Sequence, residues 1–312
     1  MQKSFFDLYE FINSTKKLEE KFIKDPIDKK CRFCQKAYPE VSFETIPHLI
    51  PELFGRNNHV SNFECDNCNR EFQKHETDTS TLIQHYLALL NLKTKRGVPN
   101  FQSLKNQQTQ STTINIVNDQ PNIYFGNNLQ DFEYDEEEKS LLINLRTRRF
   151  RPYSVYKIFL KIAISLMTEQ ELKENIHYLE FLNAPTPIKN GMQQWDVFSY
   201  RLKTKMHPKP TVNLYKAKET LIDNKAYPEY VLLVNVASLI YQFFLPISKK
   251  NMDEHQPKNR LILDMFPSFI LDGTRIIKFD DYRKMDLSET ELVSITDDLK
   301  LYYERKDSTH KN

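Results

Sequence analysis

The four cysteines constrain this chain more than any other feature. All of them fall between Cys31 and Cys68 of 312 residues, as two C-x2-C pairs, Cys31 with Cys34 and Cys65 with Cys68, separated by 30 residues. Two residues between thiolates let both bind one ion from a tight turn, and two such turns complete a tetrahedral site closed to water. Core packing alone gives no reason for one spacing to occur twice. The pattern therefore predicts a structural Zn2+ held by Cys31, Cys34, Cys65 and Cys68. A closed site of this kind holds a fold together but does no chemistry, so the chemistry is expected in the residues it brackets.

At 312 residues the chain is long for one hydrophobic core, and two domains are expected. With 39% hydrophobic and 28% charged residues it falls in the globular range. It has no run of 18 or more apolar residues, and "MQKSFFDLYEFINSTKKLEE" lacks the apolar centre of a secretory leader. The expectation is a cytoplasmic protein with no membrane partner, where thiols stay reduced and disulfides are not formed.

A net charge of +2 is too small to argue for a polyanionic partner. The distribution says more. "KTKRG" at 93–97 and "RTRRFRPYSVYK" at 146–157 are basic, the second with interleaved aromatics, and "DFEYDEEEK" at 131–139 is acidic. Basic aromatic segments suit phosphate contact and base stacking, and equally suit an ordinary solvated face.

Between the cysteine pairs, "VSFETI" has strand character, and "PHLIPELFG" is loop punctuated by Pro51 and Gly55. From Asn69 to about Leu90 the pattern turns helical, with Phe72, Leu82, Tyr86 and Leu89 near helical spacing. The coarse order is strand, loop, strand, helix.

In this order, "CRFC", "HLIPELFG" and "CDNCN" resemble the zinc-bound branch of the HNH endonuclease family. The likeness covers about a sixth of the chain, and weaker similarity to longer HNH proteins runs through "KRGVPNF" and "FRPYSVYKIFLKIAISLM". It implies a ββα-metal nuclease that cuts nucleic acid with a divalent cation, Mg2+ or Mn2+. His48 matches the general base, a task suited to an imidazole that titrates near neutrality. Asn62 matches the middle asparagine, which braces the loop carrying the base. Asn69 matches the last motif residue, where its oxygen either binds the cation or caps the helix; the resemblance favours the ligand.

Pro47 departs from the family, many members of which carry Asp or Glu there as a metal ligand. Hard divalent cations prefer sites that include a carboxylate. Gln73 and Glu76 share a helix face with Asn69, which makes Glu76 the first candidate for the missing carboxylate. Glu44, four residues before His48, is the second. His75 is kept as a phosphate contact alongside Lys93, Lys95 and Arg96, whereas His59 and His85 read as ordinary surface or core residues.

The fold expectation is α+β. It comprises an N-terminal helix over residues 1–30, a zinc-stapled nuclease domain over 31–107, and a mixed α/β recognition or regulatory domain over 108–312. "TTINIV", "SLLINL", "PTVNLYKA", "YVLLVNVASLIYQFFLPI", "NRLILDMF" and "TRIIKFD" read as strands. "SVYKIFLKIAISLM" and "EQELKENIHYLEFLN" read as helices, and "SETELVSITDDLKLYYERK" as a closing charged helix.

The functional expectation is a metal-dependent endonuclease acting on DNA, most readily double-stranded. Its architecture suits bacterial restriction or antiphage defence, with a small-molecule or protein activator of the C-terminal domain and assembly into a homo-oligomer. The competing reading is a zinc-stapled nucleic-acid-binding protein without cleavage, for which Pro47 is the sequence argument.

Overall fold

The structure, a computed structural model, describes residues 5–14, 29–104, 111–125, 132–188, 195–202, 209–222, 225–247, 260–261 and 279–302. It is α+β, with several sheets and few helices, and its C-terminal region is mostly β rather than evenly mixed.

The helix expected over residues 1–30 does not form where the chain is described. A single helical turn, α1 (Phe5–Leu8), leads straight into a strand, β1 (Tyr9–Ser14). The reason is tertiary. The strand Thr211–Ala217 offers its open backbone edge to β1, while Phe5, Leu8 and Tyr9 bury in a cluster with Phe198, Val231 and Leu233. Residues 15–28 lie outside the described residues.

In the cysteine segment the helix α2 (Asp66–Leu89) begins three residues before Asn69. "VSFETI" forms no strand. The backbone N–H groups of Glu44 and Thr45 are taken instead by the Asp66 carboxylate, each at 2.9 Å.

The middle of the chain forms short strands, as its alternation predicts: β2 (Phe101–Gln102), β3 (Thr113–Val117), β4 (Gln120–Tyr124), β5 (Phe132–Asp135) and β6 (Ser140–Arg146). The acidic run 136–139 is the turn between β5 and β6.

The apolar run "SVYKIFLKIAISL" becomes α3 (Pro152–Leu166), and every one of its residues is buried. Pro152 sits at its first turn, where a missing N–H costs nothing. The next helical stretch splits into α4 (Glu169–Glu174) and α5 (His177–Asn183). Thr168 and Glu171 form a reciprocal capping box at the start of α4, and Asn175 ends it by donating its amide to Glu171 O at 2.9 Å.

The remaining elements are all strands: β7 (Asp196–Leu202), β8 (Thr211–Ala217), β9 (Leu221–Ile222), β10 (Lys225–Ala226), β11 (Tyr230–Val236), β12 (Leu239–Phe244), β13 (Arg260–Leu261), β14 (Phe279–Asp286) and β15 (Thr296–Tyr302). Most of "NRLILDMF" and "TRIIKFD" lies outside the described residues. The closing charged helix is replaced by β15, in which burial alternates so that Asp297 and Leu299 point inward. That period of two is a strand signal obscured by the surrounding charge.

The two compact units do not follow the expected sequential division. The first takes in residues 1–80 and 151–291, and the second residues 81–150 and 292–312. The first contains an antiparallel six-stranded sheet in the order β1-β8-β11-β12-β7-β14. Every residue of β11 and β12 is buried, as continuous apolar runs require when both sheet faces are covered. The small sheet β13-β10-β9 belongs to this unit too. The second unit contains the sheets β15-β6-β5 and β2-β3-β4. No helix among the described residues is long and apolar enough to cross a membrane.

Candidate functional site

The predicted cysteine set comes together. The Sγ atoms of Cys31, Cys34, Cys65 and Cys68 all lie within 4.8 Å of one another. Cys31 and Cys68 are 3.7 Å apart and Cys34 and Cys65 3.8 Å. A tetrahedral ion with Zn–S bonds of about 2.3 Å requires sulfur separations of about 3.8 Å, so the set fits zinc. Backbone N–H groups of Cys65 and Cys68 point at Cys31 Sγ and Cys65 Sγ, each at 3.5 Å, and so support the thiolate form.

Between the knuckles, residues 47–49 and 59–61 form a short antiparallel ribbon. His48 bridges Val60, Leu49 N–H donates to His59 O at 2.8 Å, and Ser61 N–H donates to Pro47 O at 2.7 Å. The loop joining its two arms is braced by a buried amide. Asn57 Nδ2 donates to Ile50 O at 3.2 Å and Gly55 O at 3.0 Å, and its Oδ1 accepts from His59 N–H at 3.1 Å. Gly55 adopts φ 125°, which excludes a side chain, and a Cβ there would stand 3.4 Å from Pro210 Cδ. The half-buried Asn62 lies beyond the ribbon, and the hydrogen bonds that brace the loop are those of Asn57. In sequence, Asn57 is one of two adjacent asparagines, and spacing does not tell them apart.

His48 is carried on the first arm of the ribbon. Its Nδ1 is shut off from solvent, while Nε2 faces Glu52 Oε2 at 3.4 Å. The two side chains are 29% and 18% exposed, enough for substrate to reach them. Glu52 sits on a single 3-10 turn, Glu52–Phe54, entered through Pro51 and anchored by the fully buried Phe54, whose ring stacks on Phe159 of α3 at 6.2 Å. Glu52 is the glutamate of "HLIPELFG", inside the stretch that carries the family resemblance, and that placement was the sequence signal for it.

Asn69 lies one turn into α2 rather than at its cap, so the capping alternative does not apply. Its Nδ2 donates to Thr45 Oγ1 at 3.3 Å, and Thr45 Oγ1 in turn donates to Asp66. Because the Thr45 proton goes to the carboxylate, its oxygen is left to accept from the amide nitrogen, and Asn69 Oδ1 turns away from Thr45. Burial raises the Asp66 carboxyl, yet hydrogen bonds from Ser42, Thr45 and the Glu44 N–H hold it well below the usual carboxylate range.

The two carboxylates singled out in the sequence are placed differently. Glu44 is exposed, with its N–H on Asp66. Glu76 is half-buried, and burial raises its carboxyl while Lys161 pulls it down. Among the described residues, the cysteines are the one group of three or more His, Cys, Asp or Glu side chains placed to hold a metal ion. His75 turns to α3, where Nδ1 meets Ser154 Oγ at 3.0 Å, and burial together with Lys157 pushes its imidazole down to about 4.

Lys93, Lys95 and Arg96 are exposed on a turn closed by Thr94 and Gly97, in the second compact unit. In "RTRRFRPYSVYK" the arginines are exposed but Phe150, Tyr153 and Tyr156 are core residues, so the interleaved aromatics are not free to stack on bases.

A ribbon carrying a histidine, a following helix, and a cysteine pair at each end together form the zinc-stapled ββα arrangement. Residues 31–86 match the HNH endonuclease family model. No curated protein and no solved structure matches the chain. The HNH segment thus spans both knuckles, the His48 ribbon and most of α2, and it supports nuclease activity on a nucleic acid.

Proposed function

We propose that this protein is a metal-dependent HNH endonuclease that hydrolyses phosphodiester bonds in DNA, with Zn2+ on Cys31, Cys34, Cys65 and Cys68 as a structural staple. The observation that carries the reading is His48. Its side chain is partly exposed and its Nε2 faces a carboxylate, while its Nδ1 is buried, on a loop held by Asn57 within a segment matching the HNH endonuclease family.

Nε2 is therefore the atom that accepts the proton of the attacking water. A bound Mg2+ or Mn2+ supplies positive charge to the scissile phosphate and the leaving oxygen. Asn69 offers Oδ1 as a ligand, with its amide oriented by Thr45 and Asp66. The loop that carries the base is braced by Asn57, and Asn62, the asparagine at the family position, lies beyond the ribbon. His75 is engaged by Ser154, so phosphate contacts fall to the exposed Lys93, Lys95 and Arg96. Double-stranded DNA as substrate, a ligand-responsive C-terminal region, homo-oligomeric assembly, and a role in bacterial restriction or antiphage defence in the cytoplasm complete the reading.

Incubating the full-length protein with supercoiled plasmid under Mg2+, Mn2+ or EDTA tests it. Nicking with either metal and none with EDTA is expected. Retardation of the plasmid without nicking in every condition would leave a zinc-stapled DNA-binding protein in place of a nuclease.

A further inference from the structure

Pro47 leaves the nuclease reading without the carboxylate that a hard divalent cation needs beside the base, and the sequence points to Glu76 and Glu44 as replacements. Glu76 is half-buried, and its carboxyl is raised by burial and lowered by the Lys161 charge, which is itself paired with Glu64 at 3.0 Å. Glu44 is exposed, with its backbone N–H on Asp66 and its carboxylate not within 4.0 Å of the His48 imidazole.

Glu52 is different. It is the one acidic side chain among the described residues within 4.0 Å of the His48 imidazole, at 3.4 Å from Nε2. It faces Nε2 rather than the buried Nδ1. Its backbone is fixed on both sides, by Pro51 before it and by the buried Phe54 and the Asn57 hydrogen bonds after it. A carboxylate held this rigidly next to an imidazole needs little reorganisation to bind a cation, whereas a surface glutamate on a mobile stem must first be ordered.

We infer that Glu52 is the carboxylate ligand of the catalytic divalent cation, taking the role for which Pro47 has no side-chain group. Glu52 and His48 then divide the work: the carboxylate holds the cation, and Nε2 takes the proton. The assignment rests on the nuclease reading, and it also makes a binding prediction that does not depend on cleavage.

The test is Mn2+ binding to full-length, zinc-loaded protein without DNA, followed by the electron paramagnetic resonance signal of free Mn2+. Glu52→Gln keeps the shape and removes the charge, and should weaken Mn2+ binding by roughly tenfold or more. Glu76→Gln should stay within about twofold of wild type, because among the described residues Glu52, and not Glu76, is the carboxylate within 4.0 Å of the His48 imidazole. Zinc content of each variant reports on the fold; if Glu52→Gln loses zinc, Glu52→Asp carries the measurement and should show an intermediate affinity. Mn2+ binding unchanged in Glu52→Gln, or weakened in Glu76→Gln instead, overturns the assignment. Wild type that binds Mn2+ through Glu52 but never nicks plasmid keeps the site and overturns the nuclease reading. Wild type that nicks while binding is independent of Glu52 does the reverse.

Discussion

The Lys161 ammonium of α3 lies 3.0 Å from the Glu64 carboxylate, with both side chains closed to solvent, and Glu64 directly precedes the knuckle residue Cys65. Lys161 also stands 4.8 Å from the centre of the Phe72 ring on α2. Burial pushes the Glu64 carboxyl up to about 7 against the pull of Lys161. The HNH segment is thus seated on the central helix of its compact unit through a buried charge, along with the contacts Phe54 to Phe159 and His75 to Ser154.

Breaking that pair from one side leaves an uncompensated buried carboxylate. Lys161→Met should destabilise the protein by about 3–5 kcal/mol at pH 8, and Lys161→Met with Glu64→Gln should recover much of the loss. Urea unfolding of the zinc-loaded variants measures both. Equal destabilisation of the single and double variants would show that the charge is not what seats the segment.

The two knuckles stand 30 residues apart in the chain and meet at one set of four sulfurs, so a metal bound there should supply folding free energy to the HNH segment. One Zn2+ per chain is expected by elemental analysis. Cys65→Ser should lose it and expose residues 31–86 to limited proteolysis. Folded, protease-resistant protein with no zinc would refute the cysteine assignment.

For the base, His48→Ala should lower cleavage by roughly 10²–10⁴-fold while leaving zinc content and plasmid retardation near wild type. Cleavage at close to the wild-type rate would make His48 structural. Asn57→Ala makes a useful comparison, since it should reduce cleavage by letting the loop move while the base remains.

His75 gives a stability prediction with a definite sign. Its imidazole is held neutral in the folded state, down to about 4, by burial and by Lys157, against an ordinary value of 6.5. The unfolded chain therefore binds the proton first on acidification. The associated stability is fully present above pH 6.5, fades as pH falls, and is gone below about pH 4. With partial solvent access discounted, it amounts to about 1–2 kcal/mol. His75→Gln should flatten the stability profile in that window; a variant with the same slope as wild type would place the titration elsewhere.

Much of the site was legible because its signals are local. The two C-x2-C spacings, the histidine ahead of "LIPELFG" and the long apolar run of α3 each state their structure within a few residues, and zinc geometry or helical period turns them into positions. What the sequence left undecided depends on partners far along the chain. Tyr9–Ser14 is a strand because β8 presents a backbone edge some 200 residues later, which local helical patterning cannot anticipate. Thr296–Tyr302 is a strand because β6 pairs with it, and its inward Asp297 is tolerated because the buried His85 meets it at 2.7 Å. Within the site, the chain order of Asn57, Glu52 and Thr45 says nothing about which side chain braces, which faces the imidazole and which orients an amide. The roles of Asn57 and Glu52 follow from closure of the loop, which buries one amide and fixes one 3-10 turn, and that of Thr45 from its hydrogen bonds to Asp66 at the start of α2.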